Sequence, residues 1–197
     1  MSNRETTQTE SSEEDNEKSM RKVAGTALAG TSIEWYDFFI YGTAAALVFP
    51  TAFFPAEMPA TVALIASFST FAVGFIARPL GGVVFGHYGD RVGRKKTLVV
   101  ALLIMGTGTT MIGLLPTYES IGIFAPLLLV LLRFVQGLAI GGQWGGAMLL
   151  VTESAPNNKR GYYGAFAQAG APVGVILANL AFLLIGASMS DESFMAW

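Results

Sequence analysis

The stretch GHYGDRVGRKK, residues 86–96, separates two long apolar segments and decides how the rest of the chain is interpreted. The segments on either side of it, 61–85 and 97–115, each have about the 20 residues that a helix needs to cross a hydrocarbon core of about 30 Å. Segment 97–115 contains no charged residue. This arrangement predicts two transmembrane helices joined by a short basic loop.

Three further segments have the length and composition of transmembrane helices: 23–49, 121–150 and 162–185. A soluble domain carries about 25% charged residues, whereas this chain has 13% charged and 52% hydrophobic residues. The predicted fold class is therefore an all-α integral membrane protein with five complete transmembrane helices.

The basic residues alternate between the two sides of these predicted helices. Ten of the twelve Lys and Arg residues fall in 1–22, 86–96 and 151–161. The connections 50–60 and 116–120 and the terminal stretch 187–197 have none. Because cytoplasmic loops carry an excess of Lys and Arg, we expect a multi-pass protein of the plasma (inner) membrane with a cytoplasmic N-terminus.

Residues 1–22 differ in composition from the rest of the chain. They are rich in Ser, Thr and Glu and show no apolar periodicity, which predicts a disordered cytoplasmic tail. They are not a signal peptide, because the first apolar run starts only after Lys22 and is too long for a signal core.

The residue types also exclude several classes of function. The chain has no cysteine and one histidine, His87, so neither a thiolate nor a histidine-rich metal site is expected. A net charge of −2 gives no case for nucleic-acid binding. Residues 86–96 lack the glycine and Gly-Lys-Ser/Thr spacing of a phosphate-binding loop. No cofactor, metal or enzymatic activity is predicted.

Four charged residues lie inside the predicted spans, where charges are costly and usually mark a pathway or a paired site. Glu34 and Asp37 are three residues apart and share a helix face, so at least one is a candidate proton carrier. The alternative is that both line a water-filled vestibule. Arg133 lies near the centre of its span, at a depth similar to that of Asp37. Arg78 lies about two turns from its helix end, where it either snorkels, forms a structural pair or contacts substrate.

The order Gly-x-x-x-Asp-Arg-x-Gly-Arg-Lys in residues 86–95 resembles the signature loop of the major facilitator superfamily. This resemblance implies a network of charges at the cytoplasmic side that latches the outward-facing state. Its expected members are Asp90, Arg91, Arg94, Glu153 and Arg160. The alternative is that the basic loop is only a signal for membrane orientation.

RFVQG, residues 133–137, resembles the fourth-helix signature of that superfamily, which is associated with proton coupling. Two further motifs resemble its metabolite:proton symporter branch: EWYDFFIYG, residues 34–42, and GGQWGGA, residues 141–147. The branch usually has a glutamate where this chain has Gln143. The coupling or substrate preference that is usual in the branch is therefore in doubt for this chain. Gly137, Gly141 and Gly145 have the small-xxx-small spacing of closely packed helices.

The resemblance implies roles for individual residues. Proton coupling is expected at Asp37, Glu34 and Arg133. The expected substrate pathway comprises Arg133, Tyr36, Tyr41, Gln136, Gln168 and Arg78.

The resemblance also implies an architecture and a function for the chain. Residues 23–197 are expected to form an incomplete N-terminal transmembrane bundle, with a C-terminal bundle missing as a partner. The implied function is symport of protons with a small-molecule metabolite, either an organic acid or a zwitterionic osmolyte, across the lipid bilayer. A proton-independent facilitator and a truncated, non-transporting fragment are the alternatives.

Overall fold

The computed structural model describes the backbone of residues 2–188, and the side chains of that range except 2–16, 94, 143–147 and 149–150. All regular secondary structure in residues 2–188 is helical, as the sequence predicts. The helices are α1 (Ser2–Leu47), α2 (Phe49–Ala52), α3 (Ala60–Val92), α4 (Arg94–Gly113), α5 (Tyr118–Ile121), α6 (Phe124–Ser154) and α7 (Arg160–Ser188).

Helices α3, α4, α6 and α7 each contain a segment that is long and apolar enough to cross a membrane. Their outward surfaces carry large apolar side chains, such as Leu114, which is 78% exposed, and Ile76 and Leu183, which are both 69% exposed. Such surfaces suit contact with lipid. Helix α1 does not meet the same criterion, since Glu34 and Asp37 reduce its hydropathy, so the first of the five expected spans stays a prediction.

Helix α1 begins at Ser2 and so includes most of the tail 1–22, whose disorder stays a prediction. Residues 2–22 contain neither glycine nor proline that would end a helix. Met20 is buried against Val151 and Tyr163, and the exposed pair Glu17–Arg21 lies at helical i, i+4 spacing with 3.3 Å between its charged atoms.

The predicted basic loop is also much shorter than 86–96. Helix α3 continues to Val92 and α4 begins at Arg94, so Gly93 alone separates the two helices. Gly93 has a φ of 105°, a conformation that other residues rarely adopt. Asp90 and Arg91 therefore lie in the last turn of α3.

Close helix packing in the bundle depends on residues without side chains. A Cβ atom on Gly81 would overlap the backbone of Leu138, one on Gly137 that of Gly74, and one on Gly141 that of Arg78. These glycines let α3 and α6 approach at backbone distance. Of the glycines predicted to pack helices, Gly137 and Gly141 lie in this contact, while the surroundings of Gly145 are outside the described residues.

Helices α1 and α7 form a second close pair in the same manner. Cβ atoms on Gly170 and Gly174 would overlap Thr31 and residues 35–36 of α1, respectively. The two glycine-mediated pairs fix the rotation of α1 and α6 about their axes. As a result, Asp37 and Arg133 point into the bundle instead of toward lipid.

Candidate functional site

A buried ion pair joins helices α1 and α6 at the centre of the bundle. Arg133 Nη1 donates to Asp37 Oδ2 at 3.0 Å, and each residue is only 3% exposed. The two residues are 96 positions apart in the sequence. A buried ion pair is costly to desolvate, so further hydrogen bonds must satisfy the remaining atoms of both groups.

Helix α4 supplies those bonds through Thr109. The Thr109 hydroxyl donates to Asp37 Oδ1 and accepts from Gln136 Nε2 at 2.8 Å. Gln136 Oε1 accepts from Arg133 Nη1 at 3.1 Å, and Gln136 Nε2 also contacts the Met105 carbonyl at 3.2 Å. Asp37, Arg133, Gln136 and Thr109 thus form a closed hydrogen-bonded ring across three helices.

Aromatic rings and a glycine enclose the guanidinium of Arg133. Its Cζ atom lies 3.8 Å from the centre of the Tyr41 ring and 5.0 Å from that of Phe71. A Cβ atom on Gly74 would lie 3.2 Å from Arg133 Nε, so any larger residue there would press on the arginine. The Tyr41 hydroxyl in turn shares a 2.6 Å hydrogen bond with Thr70. Tyr41 is thus a buried wall of this site and also lines the cavity that reaches Asp37, and its place in the substrate pathway stays a prediction.

A second pair of opposite charges, Glu34 and Arg78, lies one helical turn away toward the N-terminal end of α1. Glu34 is 7% exposed, and its Oε2 atom has no hydrogen-bond partner among the described residues. The Arg78 guanidinium is half-buried and lies 4.4 Å from the centre of the Phe75 ring and 5.9 Å from that of Phe38. Glu34 and Arg78 interact electrostatically. For Arg78 the sequence predicts snorkelling, a structural pair or a substrate contact, but it does not identify Glu34 as the opposite charge.

A half-open cavity extends from the ion pair to the end of the bundle where α2 lies. It has a volume of about 290 Å³, and its lining includes Asp37 and Thr109 as well as Phe53 and Thr117. Most of its remaining lining is apolar. This cavity gives water a route toward Asp37 from the end of the bundle where α2 lies.

The other residues expected in the pathway are more peripheral. Tyr36 lines a cavity of about 360 Å³ between α1 and α7, and Gln168 is exposed on α7. Among the described residues, no three His, Asp or Glu side chains form a group that would hold a metal ion.

The residues of the expected charge latch lie at helix ends. Asp90 and Arg91 are exposed at the end of α3, Glu153 at the end of α6, and Arg160 at the start of α7. Arg94 begins α4, but its side chain is outside the described residues, as is that of Gln143.

Sequence reasoning missed Thr109 and the Met105 carbonyl. The available signal was a polar residue in the middle of a span without charges. Gln136 was expected in the pathway, but its structural position is within the ion-pair network, where it is fully buried.

Membrane-length helices packed around a buried ion pair are typical of the major facilitator class of membrane proteins. Residues 22–197 match the family described as "Sugar (and other) transporter", so the chain belongs to that family and is not an enzyme. No solved structure matches it.

Curated relatives match nearly the whole chain. It is 59% identical over 179 residues to the inner membrane metabolite transport protein YhjE of Escherichia coli, covering 91% of this chain and 40% of that protein. It is 50% identical over 177 residues to the Escherichia coli shikimate transporter, covering 90% and 40%. It is 42% identical over 178 residues to the glycine betaine/proline/ectoine/pipecolic acid transporter OusA of Dickeya dadantii, covering 90% and 35%. The chain thus spans about two fifths of the length of these relatives.

Proposed function

We propose that the complete gene product, meaning the product of the whole reading frame that includes residues 1–197, is a proton-coupled symporter. Its substrate is a small organic acid or zwitterionic metabolite, carried across the plasma (inner) membrane. The observation that carries the proposal is the buried Asp37–Arg133 pair, which places an ionisable carboxylate beside a permanent positive charge. Buried ionisable groups within membrane spans are typical of proton relays.

The pair supplies a way to link proton binding to a change of conformation. Arg133 stabilises the ionised form of Asp37, because an opposite charge nearby favours the charged state. A rearrangement that draws Arg133 away leaves Asp37 buried without its partner, and proton binding then removes the uncompensated charge. The Thr109 hydroxyl can accept from a protonated Asp37 and donate to the Met105 carbonyl, which lies 3.0 Å away. Each protonation state therefore has its own complete set of hydrogen bonds.

The substrate class is supported by the relatives. The shikimate transporter and the OusA transporter are named for small molecules that each carry a carboxylate. A bundle containing arginines at membrane depth suits such substrates, because a guanidinium binds a carboxylate through two parallel hydrogen bonds.

Uptake into proteoliposomes tests the coupling. For a symporter that moves one proton per substrate, each unit of inward pH gradient supports about tenfold accumulation of a neutral substrate. We expect labelled shikimate or proline to accumulate under an imposed gradient and to leak out when a protonophore is added. Residues 1–197 alone serve as a control and are expected to insert without accumulating substrate. Uptake that only equilibrates, with or without the gradient, would identify a proton-independent facilitator.

The orientation is part of the same proposal, with the N-terminus and the latch residues on the cytoplasmic side. Because residues 1–197 contain no cysteine, a single cysteine introduced into this range is its only label site. A cysteine at Glu57, which is exposed between α2 and α3, should react with an impermeant thiol reagent added to intact cells. One at Asn158, which is exposed between α6 and α7, should react only after the cells are opened. The reverse labelling pattern would refute both the orientation and the cytoplasmic latch.

A further inference from the structure

Arg78 is held with its guanidinium available. Its backbone packs directly against Gly141 of α6, which fixes this part of α3 against the bundle. Its guanidinium lies over the Phe75 and Phe38 rings on the side facing α1. With the side chains that the structure describes, it makes no hydrogen bond and no ion pair within 4.0 Å. The half-buried planar group therefore has its five N–H donors free of the described side chains.

Glu34 gives a second, independent sign of an unfilled site. Its Oε2 atom is buried without a hydrogen-bond partner in the part of the chain that the structure describes, which is costly for a charged group. Glu34 and Phe38 are four residues apart on one face of α1, so the carboxylate and the ring that supports Arg78 lie on the same side of that helix. Glu34 is thus the acid that interacts with Arg78 when no substrate is bound.

Arg133, by contrast, has little capacity left for a ligand. Its Nη1 atom is engaged by Asp37 and Gln136, its ring contacts enclose it, and it is 3% exposed. A substrate carboxylate that reached it would first have to break the ion pair. Its Nε atom lacks a partner but is buried beside Gly74.

We infer that Arg78 is the anchor for a single carboxylate on a small substrate, whose carbon skeleton packs over the rings of Phe38 and Phe75. This inference rests on the proposed transport function and replaces Arg133 by Arg78 as the substrate contact. The negative charge of Glu34 balances Arg78 in the empty site and competes with the incoming carboxylate. The Asp37–Arg133 pair, one helical turn away, then serves proton binding alone.

Equilibrium binding to the purified complete gene product tests this assignment. The probes are labelled shikimate, which is an anion, and labelled proline, which is a zwitterion, each compared with its methyl ester. We expect at least one acid to bind and its ester not to compete. Arg78→Gln should weaken that binding about 10- to 100-fold, as expected for the loss of hydrogen bonds to a charged group, and Arg78→Lys should weaken it less.

The matched variants separate a ligand contact from a structural role. Glu34→Gln should tighten carboxylate binding several-fold, because the competing charge is removed, whereas a purely structural Glu34–Arg78 pair predicts no gain. Arg21→Gln removes the same positive charge as Arg78→Gln, but from an exposed position on α1, and should leave binding unchanged. If Glu34→Gln strengthens the binding of proline and of shikimate alike, the site recognises only the carboxylate. If only shikimate binds tighter while proline binds more weakly, Glu34 contacts the cationic nitrogen, and its assignment as a competitor is wrong.

The remaining outcomes distinguish this inference from the proposed function. If Arg78→Gln binds the acids as the unchanged protein does, Arg78 is not the anchor, while proton-driven uptake can still hold. If neither acid binds the unchanged protein, both proposals fail. If binding depends on Arg78 but uptake ignores the proton gradient, the anchor stands and the coupling mechanism is refuted.

Discussion

Asp37→Asn in the complete gene product is expected to abolish uphill uptake while leaving exchange of internal for external substrate measurable. Asparagine has nearly the same shape. Its Oδ1 can accept from Arg133 while its Nδ2 donates to the Thr109 hydroxyl, which can then donate to the Met105 carbonyl, so the ring across the three helices remains largely intact. It cannot bind and release a proton near neutral pH. Accumulation under a gradient of one pH unit should therefore fall from about tenfold to about the external concentration.

The measurement compares net uptake and counterflow in the same proteoliposomes. Glu57→Gln removes an exposed carboxylate from the connection between α2 and α3 and should behave as the unchanged protein does. Loss of counterflow together with uptake in Asp37→Asn would indicate a folding or substrate-binding defect. Normal uphill accumulation would refute the role of Asp37 as the proton carrier and make Glu34 the next candidate.

The helical segments were predictable because membrane spans require long apolar runs, and this requirement is visible in one sequence. The runs 61–85, 97–115, 121–150 and 162–185 all overlap helices of the structure. The extent of α1 was not predictable in the same way. Residues 2–22 carry no apolar periodicity, and their helicity follows from continuity with the span and from the burial of Met20 against distant parts of the chain.

The candidate site, too, was only partly predictable from the sequence. Asp37 and Arg133 were paired on the grounds of depth and charge, since a charge at membrane depth needs a partner. Depth alone does not give the rotation of a helix about its axis. That rotation is set by glycine contacts such as Gly137 against Gly74. It decides that Thr109 reaches Asp37 and that Arg78 turns toward Phe38 and away from the ion pair.

Arg133→Ala is expected to damage both uphill uptake and exchange, which separates it from Asp37→Asn. The change leaves Asp37 buried without its partner and empties the space between Tyr41 and Phe71 that the guanidinium fills. Removing one partner of a buried ion pair costs about 3–5 kcal/mol. The thermal midpoint of the purified protein should fall accordingly, whereas Arg21→Ala, at an exposed position, should leave it nearly unchanged.

A double variant separates the loss of stability from the loss of coupling. Asp37→Asn combined with Arg133→Gln replaces both charges by neutral groups that can bond to each other and to Thr109. Because no uncompensated charge remains buried, the thermal midpoint should recover most of the loss seen in Arg133→Gln alone. Carboxylate binding and exchange should recover with it, since both depend on Arg78, while uphill uptake should stay absent because no proton carrier remains at this position. Restored stability without restored exchange would indicate that Arg133, and not Arg78, contacts the substrate.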